Sequence, residues 1–247
     1  MRFREAPILR RLIPSLAKRV AALTWPGEFK VVRRYGVLLL LNRLNYVDRQ
    51  IAFYGDFERA QITRLLSEMT RRGCDLFIDI GANIGLYTVL VAKRGIRVIA
   101  FEPDARNVVQ LRANLLINNL ASPVDIHELG VSDRSTTLPF AMASATHTGQ
   151  SRIDPAGTGS IAVVALDDLL DYSDQRIFLK IDIERHESAA IAGMATLLTR
   201  NDCFLQIESF PEERDRLDAQ LGALGYHRLD SIAGDHFYER AVTKSNA

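Results

Sequence analysis

The central part of the chain alternates between short apolar runs and segments in which apolar residues recur at helical spacing. Leu76 to Ile80 and Arg97 to Phe101 are apolar runs of strand length, and Leu86 to Ala92 between them has helical spacing. Two strands joined through a helix form a βαβ unit, whose strands are parallel. Further apolar runs predict strands downstream, at Val124 to Leu129, Ile161 to Val164, Ile177 to Ile183 and Phe204 to Ile207.

The segments around these runs complete the prediction. Predicted helices lie at Ala60 to Met69, Pro103 to about Asn118, Leu166 to Leu170, Ala190 to Leu198 and Glu212 to Leu224. Tyr226 to Leu229 and His236 to Glu239 predict two strands joined by a turn around Gly234, short enough for an antiparallel hairpin. The pattern therefore predicts an α/β fold with an open, doubly wound, mostly parallel sheet that an antiparallel C-terminal hairpin completes at one edge.

Composition divides the chain into two parts. Its 247 residues suffice for one α/β domain with a short extension, and we place a basic extension at 1–45 and the domain at 46–247. Residues 1–34 hold nine Lys/Arg and two Asp/Glu, a net charge of +7, and the remainder holds 22 and 28, a net charge of −6. Val37 to Leu41 predicts a strand within the extension.

The apolar residues of 1–34 fall roughly on one helical face, with arginines and lysines elsewhere. Such an arm is a candidate for peripheral contact with an anionic membrane surface, and a helix packed on the domain with solvated basic residues is the alternative. The sequence has no apolar run of about 18 residues, and the N-terminus lacks the apolar core of a signal peptide. Cys74 and Cys203 form no disulfide framework or zinc motif. We therefore expect a cytoplasmic protein, at the inner face of the membrane if the arm binds lipid.

The turn after the first strand of the βαβ unit carries candidate ligand-binding residues. Asp79 to Gly85 reads D-I-G-A-N-I-G, and a glycine turn allows close approach of a ligand to a helix N-terminus. Glu102 ends the next strand, 21 positions after Gly81, where an acidic side chain can accept hydrogen bonds from two ribose hydroxyls. Asn83 and Leu86 occupy the positions of the second and third glycines of a dinucleotide motif, and no P-loop is present. The sequence predicts an adenosyl ligand without phosphates, and a structural turn that binds nothing is the alternative.

These motifs resemble the first two motifs of class I S-adenosylmethionine-dependent methyltransferases, which implies their Rossmann-like fold and S-adenosylmethionine as cofactor. In a doubly wound sheet the end of the third strand lies beside the cofactor pocket, so we expect Gly130 to Asp133 to touch the adenine. The candidate cofactor-binding residues are Asp79, Gly81, Ala82, Asn83, Gly85, Glu102, Pro103, Ser132, Asp133 and Asp182.

A second cluster, Lys180 to Glu187, reads K-I-D-I-E-R-H-E. Charged side chains at the end of a buried strand are costly unless they are paired or used, and in open α/β sheets this end borders the ligand crevice. Together with D-I-G-A-N-I-G and F-E-P, this stretch resembles the FkbM family of S-adenosylmethionine-dependent methyltransferases, over roughly residues 46 to 210. Arg185 stands where the family pattern has glycine, which predicts either an altered loop backbone or an additional cationic contact with substrate.

The resemblance implies methylation of a hydroxyl oxygen. The first hypothesis is an O-methyltransferase acting on a carbohydrate or glycoconjugate, similar to the fucose 2-O-methyltransferases of nodulation-factor synthesis, with a small molecule or a glycolipid as partner. A polyketide or other secondary-metabolite hydroxyl is the alternative. A non-catalytic nucleoside-binding module is an alternative from another class, but it would be expected to lose Asp79, Glu102 or Asp182, and all three are present. A nicotinamide oxidoreductase is disfavoured by the glycine spacing. A nucleic-acid substrate is disfavoured because the basic residues lie in one arm. The oligomeric state stays open.

Transfer to a hydroxyl requires alignment of the oxygen and removal of its proton. His186 is the first candidate base because imidazole titrates near neutral pH, and Asp182 is the second and could also hold the methionyl ammonium. Glu184 and Glu187 could orient substrate hydroxyls or, with Asp182, form a divalent-cation site, although no metal is required by the sequence. Lys180 would neutralise these carboxylates. The alternative to a catalytic role is that His186 is a surface residue at the start of a helix. For Glu187 the alternative is a charge favoured by the dipole at a helix N-terminus.

Residues 141–160 are rich in Ala, Ser, Thr and Gly and show little periodicity. Long loops in compact domains are usually functional or disordered. We predict a lid on the substrate side of the site.

Overall fold

The computed structural model describes residues 25, 27–120 and 122–240. The amphipathic face predicted within residues 1–34 lies mostly outside the described residues, and its membrane contact stays a prediction. The described strands, in chain order, are β1 Phe29–Arg34, β2 Val37–Asn42, β3 Leu76–Ile80, β4 Arg97–Phe101, β5 Val124–His127, β6 Gly130–Val131, β7 Thr136–Ala141, β8 Arg152–Ile153, β9 Gly159–Val164, β10 Arg176–Ile181, β11 Asp202–Glu208, β12 Tyr226–Ile232 and β13 Asp235–Arg240. The described helices are α1 Tyr46–Phe53, α2 Arg59–Arg72, α3 Leu86–Ala92, α4 Ala105–Ile117, α5 Leu166–Leu169, α6 Glu187–Ala192, α7 Ala195–Arg200 and α8 Arg214–Ala223.

Seven of the described strands form one sheet in the order β12-β13-β11-β10-β3-β4-β5. The five strands from β11 to β5 are parallel, whereas β13 is antiparallel to β11 and β12 is antiparallel to β13. This sheet confirms the predicted α/β fold, mostly parallel with an antiparallel C-terminal hairpin at one edge. The carboxyl ends of the parallel strands all meet at one edge, which is where such sheets bind ligands.

Helices cover both faces of this sheet, which is why its central strands read as continuous apolar runs. On one face, Phe77, Phe178 and Phe204 pack with helices α2, α3 and α4. On the opposite face, Leu179 and Leu205 pack with helices α6, α7 and α8. Alternate residues of each strand thus enter different halves of the core.

Part of the chain that the sequence left as loop forms a small sheet. Four further described strands pair in the order β6-β9-β7-β8, and a 3-10 turn at Thr148–Gln150 precedes β8. The predicted lid therefore contains local structure, with β7 at its start and the 3-10 turn and β8 in its middle.

The single helix predicted from Ala190 to Leu198 is wrong, because two short helices, α6 and α7, meet there at Gly193. A Cβ atom at Gly193 would lie 1.9 Å from the Ser132 carbonyl oxygen, so the chain passes very close to the segment after β6. The Asp167 carboxylate then accepts hydrogen bonds from the backbone amides of Thr196 and Leu197, both at 2.8 Å. This capping starts a new helix at the point where the apolar periodicity alone predicts continuity.

The hairpin of β1 and β2 packs on helix α4. Asn118 and Asn114 accept hydrogen bonds from the backbone amides of Leu38 and Leu40, at 3.0 and 2.6 Å. Leu39 on β2 is fully buried in the same core as the main sheet. Residues 29–42 of the predicted extension are thus packed against the domain. No helix within the described ranges is long and apolar enough to cross a membrane.

Candidate active site

Two glycines set the backbone of the turn between β3 and α3. Gly81 has φ +82° and Gly85 has φ +85°, a region that favours glycine. A Cβ atom at Gly81 would lie 1.9 Å from the carbonyl oxygen of Asp182, and one at Gly85 would lie 2.2 Å from Leu111 Cδ1. Gly81 therefore allows the ends of β3 and β10 to approach each other, and Gly85 allows α3 to pack against α4.

Among the described residues, the larger of two cavities at this edge of the sheet encloses about 590 Å³ of empty space, open solvent included. Its walls combine polar groups of the strand ends with an apolar surface from β4 and the small sheet. The predicted residues in its lining are Gly81, Asn83, Glu102, Pro103, Asp182 and Glu184. The apolar part is formed by Phe101, Leu129, Val131, Phe140, Ile153 and Ile161. A cavity with one apolar wall and an acidic strand end suits an adenosyl group.

Glu102 is the buried acid of this cavity, with 6% of its surface exposed. Its carboxylate accepts hydrogen bonds from the backbone amide of Asn83 at 2.8 Å and from that of Asp104 at 2.9 Å. Burial raises the pKa of Glu102 to about 7, although these hydrogen bonds act to lower it. The side chain is thereby fixed at the mouth of the glycine turn, where the sequence predicts a ribose.

The predicted lid lies over the larger cavity and is held at two points. Thr148 and Ser151 both line the cavity, and no residue of 141–160 lines the smaller one. The buried Asn45 amide donates to the Thr148 hydroxyl at 2.6 Å. The Ser151 hydroxyl donates to Asp104 Oδ2 at 2.9 Å. These bonds connect the lid to the start of α1 and to the segment after β4.

The smaller cavity, with about 370 Å³ of empty space including open solvent, borders the same glycine turn. Gly81, Asn83 and Asp182 line both cavities, so the two meet at these residues. Further lining residues are Val47, Ile51, Phe57, Glu58, Asp79, Ala82, Tyr87 and Lys180. This cavity combines an apolar side with several ionisable groups.

Lys180 and Asp79 are buried beside this cavity. Lys180 Nζ lies 2.8 Å from Asp182 Oδ2 and 4.9 Å from the centre of the Tyr87 ring. Burial lowers the pKa of Lys180, but neighbouring negative charges, Asp182 first, outweigh it and hold that pKa well above its usual value. The Asp79 carboxylate accepts a hydrogen bond from the Thr88 hydroxyl at 2.6 Å. Lys180 therefore carries a positive charge and fixes the position of Asp182.

The remaining predicted residues lie outside the linings of both cavities. His186 Nε2 is 2.9 Å from the Ser132 hydroxyl, and burial lowers the pKa of His186 although the charge of Asp133 opposes this. Glu187 accepts a hydrogen bond from the Arg185 amide, and burial raises the pKa of Glu187 to about 7. His186, Ser132 and Asp133 thus form a group beside the site. No set of three or more His, Cys, Asp or Glu side chains in the described part of the chain is arranged to hold a metal ion.

Arg185 keeps the backbone conformation that glycine adopts easily, with φ +79°, and Glu184 before it has φ +52°. The Arg185 guanidinium lies 4.1 Å from the centre of the Phe210 ring and 2.8 Å from Glu212 Oε1. The sequence offered two alternatives for Arg185, an altered loop backbone or an additional cationic contact with substrate. The loop keeps the left-handed backbone that glycine favours, and the Arg185 side chain contacts Phe210 and Glu212.

The sequence missed two residues that line the smaller cavity and several polar side chains near them. Glu58 and Tyr87 line it, and Gln206 donates to the Tyr87 hydroxyl at 3.2 Å and to Asp235 Oδ1 at 2.7 Å. Glu208 ends a parallel strand, and that position could have identified it as a candidate. Glu58 and Asp235 come from a turn and an antiparallel strand, for which no motif gave a signal.

Comparison with known sequences identifies the family. A sequence model described as the Methyltransferase FkbM domain matches residues 79–228. The AMB antimetabolite synthetase AmbE of Pseudomonas aeruginosa is 31% identical over 167 residues, which are 64% of this chain and 7% of the relative. The chain therefore spans only a small part of that relative's length.

Solved structures share the fold. The methyltransferase FkbM of Methylobacillus flagellatus superposes with a TM-score of 0.51 at 19% identity, over 94% of this chain and 59% of the other. A SAM-dependent methyltransferase of Agrobacterium tumefaciens superposes with a TM-score of 0.53 at 8% identity, over 86% and 69%. These similarities support the arrangement of the sheet described above.

Proposed function

The chain belongs to the FkbM methyltransferase family, and we propose that it transfers a methyl group to a hydroxyl oxygen of a carbohydrate or glycoconjugate. S-Adenosylmethionine is its methyl donor. The observation that carries the proposal is that Gly81, Asn83 and Asp182 line both cavities. A donor in one cavity and an acceptor in the other would meet beside the Asp182 carboxylate.

The larger cavity fits the cofactor, so in this proposal the segment 141–160 covers the donor and not the substrate side expected from the sequence. The glycine turn leaves no room for a Cβ atom at Gly81, and the Asn83 amide oxygen is buried without a hydrogen-bond partner. Glu102 is placed to accept ribose hydroxyls, and Leu129 and Phe140 form part of an apolar wall for the adenine. When bound, the cofactor supplies a methyl group on a positively charged sulfur, which is strongly electrophilic.

The chain's own residues align the acceptor and remove its proton. Asp182 lies at the junction of the cavities and is the carboxylate we assign as base. Its ion pair with Lys180 fixes the orientation of the carboxylate, which matters because small misplacements reduce the rate strongly. His186 contacts Ser132 instead and lines neither cavity, so we assign it no part in the transfer.

The test compares variants in S-adenosylhomocysteine binding and in methyl transfer to a panel of glycans. Asp182→Asn should reduce turnover by ~10²-fold or more while the protein still binds S-adenosylhomocysteine. His186→Ala should keep turnover close to that of the original protein, and Asp133→Asn, outside both linings, is the control. If His186→Ala loses most of its turnover while Asp182→Asn stays active, His186 is the base and Asp182 is not. Failure of the folded protein to bind S-adenosylhomocysteine would refute the cofactor site.

A secondary-metabolite hydroxyl is the second candidate acceptor, and the similarity to an antimetabolite synthetase supports it. Screening glycans and hydroxylated metabolites in parallel distinguishes the two. Transfer confined to non-carbohydrate hydroxyls would reject the glycoconjugate assignment and leave the methyltransferase assignment in place.

A further inference from the structure

The hairpin of β1 and β2 has an apolar face that points away from the core. Side chains alternate between the two faces of a strand, and Val37, Leu39 and Leu41 of β2 are all buried in the core. The opposite face carries the alternate residues of β2 and the residues of β1 that pair with them. This face presents Phe29, Val31, Arg33, Leu38, Leu40 and Asn42. Its two apolar residues on β1, Phe29 and Val31, are each 47% exposed.

Helix α4 continues this face. Gln110, Asn114 and Asn118 lie in a row along the helix and hydrogen-bond the edge of β2 that borders it. Leu111 and Leu115, on one side of this row, are buried in the core, so the other side of the row is the outer one. On that outer side α4 carries Val109, Ala113, Leu116 and Ile117, of which Val109 is 69% exposed and Leu116 is 70% exposed.

The apolar residues of the hairpin and of the helix together form one surface of the domain. Single exposed apolar side chains are normal on a protein, whereas a group of them on two packed elements marks an interaction site. We call this group the outer surface, and it comprises Phe29, Val31, Leu38, Leu40, Val109, Ala113, Leu116 and Ile117.

The two elements that form the outer surface contain basic residues and no Asp or Glu. Residues 29–42 include Lys30, Arg33 and Arg34, and α4 includes Arg106 and Arg112. The carboxylates of neighbouring segments pair with the two arginines of α4, which leaves a net charge of +3. Residues 1–28, directly before β1, add six Lys/Arg against two Asp/Glu, whereas residues 35–247 as a whole carry a net charge of −6. Positive charge is therefore concentrated beside the outer surface.

From this combination we propose that the outer surface lies against a membrane surface that contains anionic lipids. The boundary between headgroups and acyl chains accepts exposed apolar side chains, and anionic headgroups attract Lys and Arg. Phe29, Val31 and Val109 enter this boundary, and Arg33, on the same face of the hairpin, contacts the headgroups.

This inference goes beyond the proposed function and does not depend on it. The outer surface includes none of the residues that line the two cavities. Variants of the outer surface should therefore keep the affinity of the protein for S-adenosylhomocysteine, and their binding to lipid can be measured separately from the methyl transfer.

The experiment is co-sedimentation of the full chain with lipid vesicles. One set of vesicles contains phosphatidylcholine alone, and the other also contains phosphatidylglycerol, which is anionic. The protein should bind the anionic vesicles at least about fivefold more tightly than the neutral ones, since each Lys or Arg near an anionic surface contributes about that factor. Added salt should weaken this preference because it screens the charges.

Two changes in the outer surface test its apolar and its charged part. The double variant Phe29→Ser, Val31→Ser should bind anionic vesicles about tenfold more weakly, because it loses apolar surface that the membrane would bury. Arg33→Gln should bind anionic vesicles about fivefold more weakly and neutral vesicles like the original protein. Leu229→Ser is the control, because Leu229 is 37% exposed on β12 at an edge of the main sheet, and it should bind like the original protein. Urea unfolding checks that each variant is folded.

Three outcomes would overturn the inference. The first is that the original protein binds neither kind of vesicle, or binds both equally. The second is that the folded double variant binds anionic vesicles as tightly as the original protein, which would assign the binding to residues 1–28, since the variant leaves them unchanged. The third is a dimer, measured by sedimentation equilibrium, that the double variant dissociates while vesicles bind neither protein. That result would assign the outer surface to a second copy of the chain.

Discussion

Replacement of Gly81 by alanine tests the close approach on which the whole site depends. The added methyl group would lie 1.9 Å from the Asp182 carbonyl oxygen and 2.9 Å from its carbonyl carbon. Non-bonded heavy atoms approach favourably to about 3.5 Å, so the end of β10 must shift by at least about 1 Å. The alanine must also adopt φ +82°, which costs roughly 1–2 kcal/mol for a residue with a Cβ atom.

A matched control separates these two costs. Gly36 has φ +83°, and a Cβ atom there would meet nothing within 4 Å. Gly36→Ala should therefore lose only the backbone contribution, roughly 1–2 kcal/mol of unfolding free energy. Gly81→Ala should lose about 1–3 kcal/mol more, because it forces atoms into a packed region.

Urea unfolding measures the free energy of both variants, and calorimetric titration measures S-adenosylhomocysteine binding. We expect Gly81→Ala to bind more weakly and Gly36→Ala to bind like the original protein. In the proposed function Asp182 acts on the acceptor, so its displacement should also lower turnover by ~10²-fold. If the two variants are equally stable and both bind the ligand normally, then the contact between Gly81 and the end of β10 does not organise the site.

Three further outcomes follow from the contacts of the site. Burial raises the pKa of Glu102 to about 7, and ribose hydroxyls favour its ionised carboxylate. The affinity for S-adenosylhomocysteine, measured by calorimetric titration, should therefore rise between about pH 6 and 8, and Glu102→Gln should abolish this rise. Thr148→Val removes the acceptor of the buried Asn45 amide, which costs about 1–3 kcal/mol, so amide hydrogens of the lid should exchange faster while those of β10 stay protected. Exchange in the lid at the same rate as in the original protein would contradict the role of this bond. Arg185→Gly should be more stable in urea than Arg185→Ala by about 1 kcal/mol, because only alanine keeps the cost of a positive φ; equal stability would show that the loop relaxes.

The sequence predicted those parts of the fold that local patterns determine. Apolar runs identified every strand of the parallel sheet, and the glycine turn and Glu102 were placed correctly because a strand, a turn and the next strand end form one contiguous unit. The break between α6 and α7 could not be predicted in this way. It depends on the approach of Gly193 to Ser132, two residues that lie far apart in the chain.

The same distinction applies within the site. Lys180 and Asp182 were identified because charged residues at a buried strand end stand out in a sequence. His186 belongs to the same motif, yet the structure turns it toward Ser132. Neighbours in sequence after a strand end can face different sides of a loop, and here two consecutive positive φ values, at Glu184 and Arg185, redirect the chain.

The family match and the two cavities cover different parts of this chain. The match spans residues 79–228 and so includes the glycine turn, Glu102, Asp182 and every lining residue of the larger cavity. The smaller cavity also takes Val47, Ile51, Phe57 and Glu58 from the segment before that range. Under the proposed function the donor occupies the larger cavity and the acceptor the smaller one. A relative that shares the motifs but differs at these four positions is accordingly expected to use the same donor and a different acceptor.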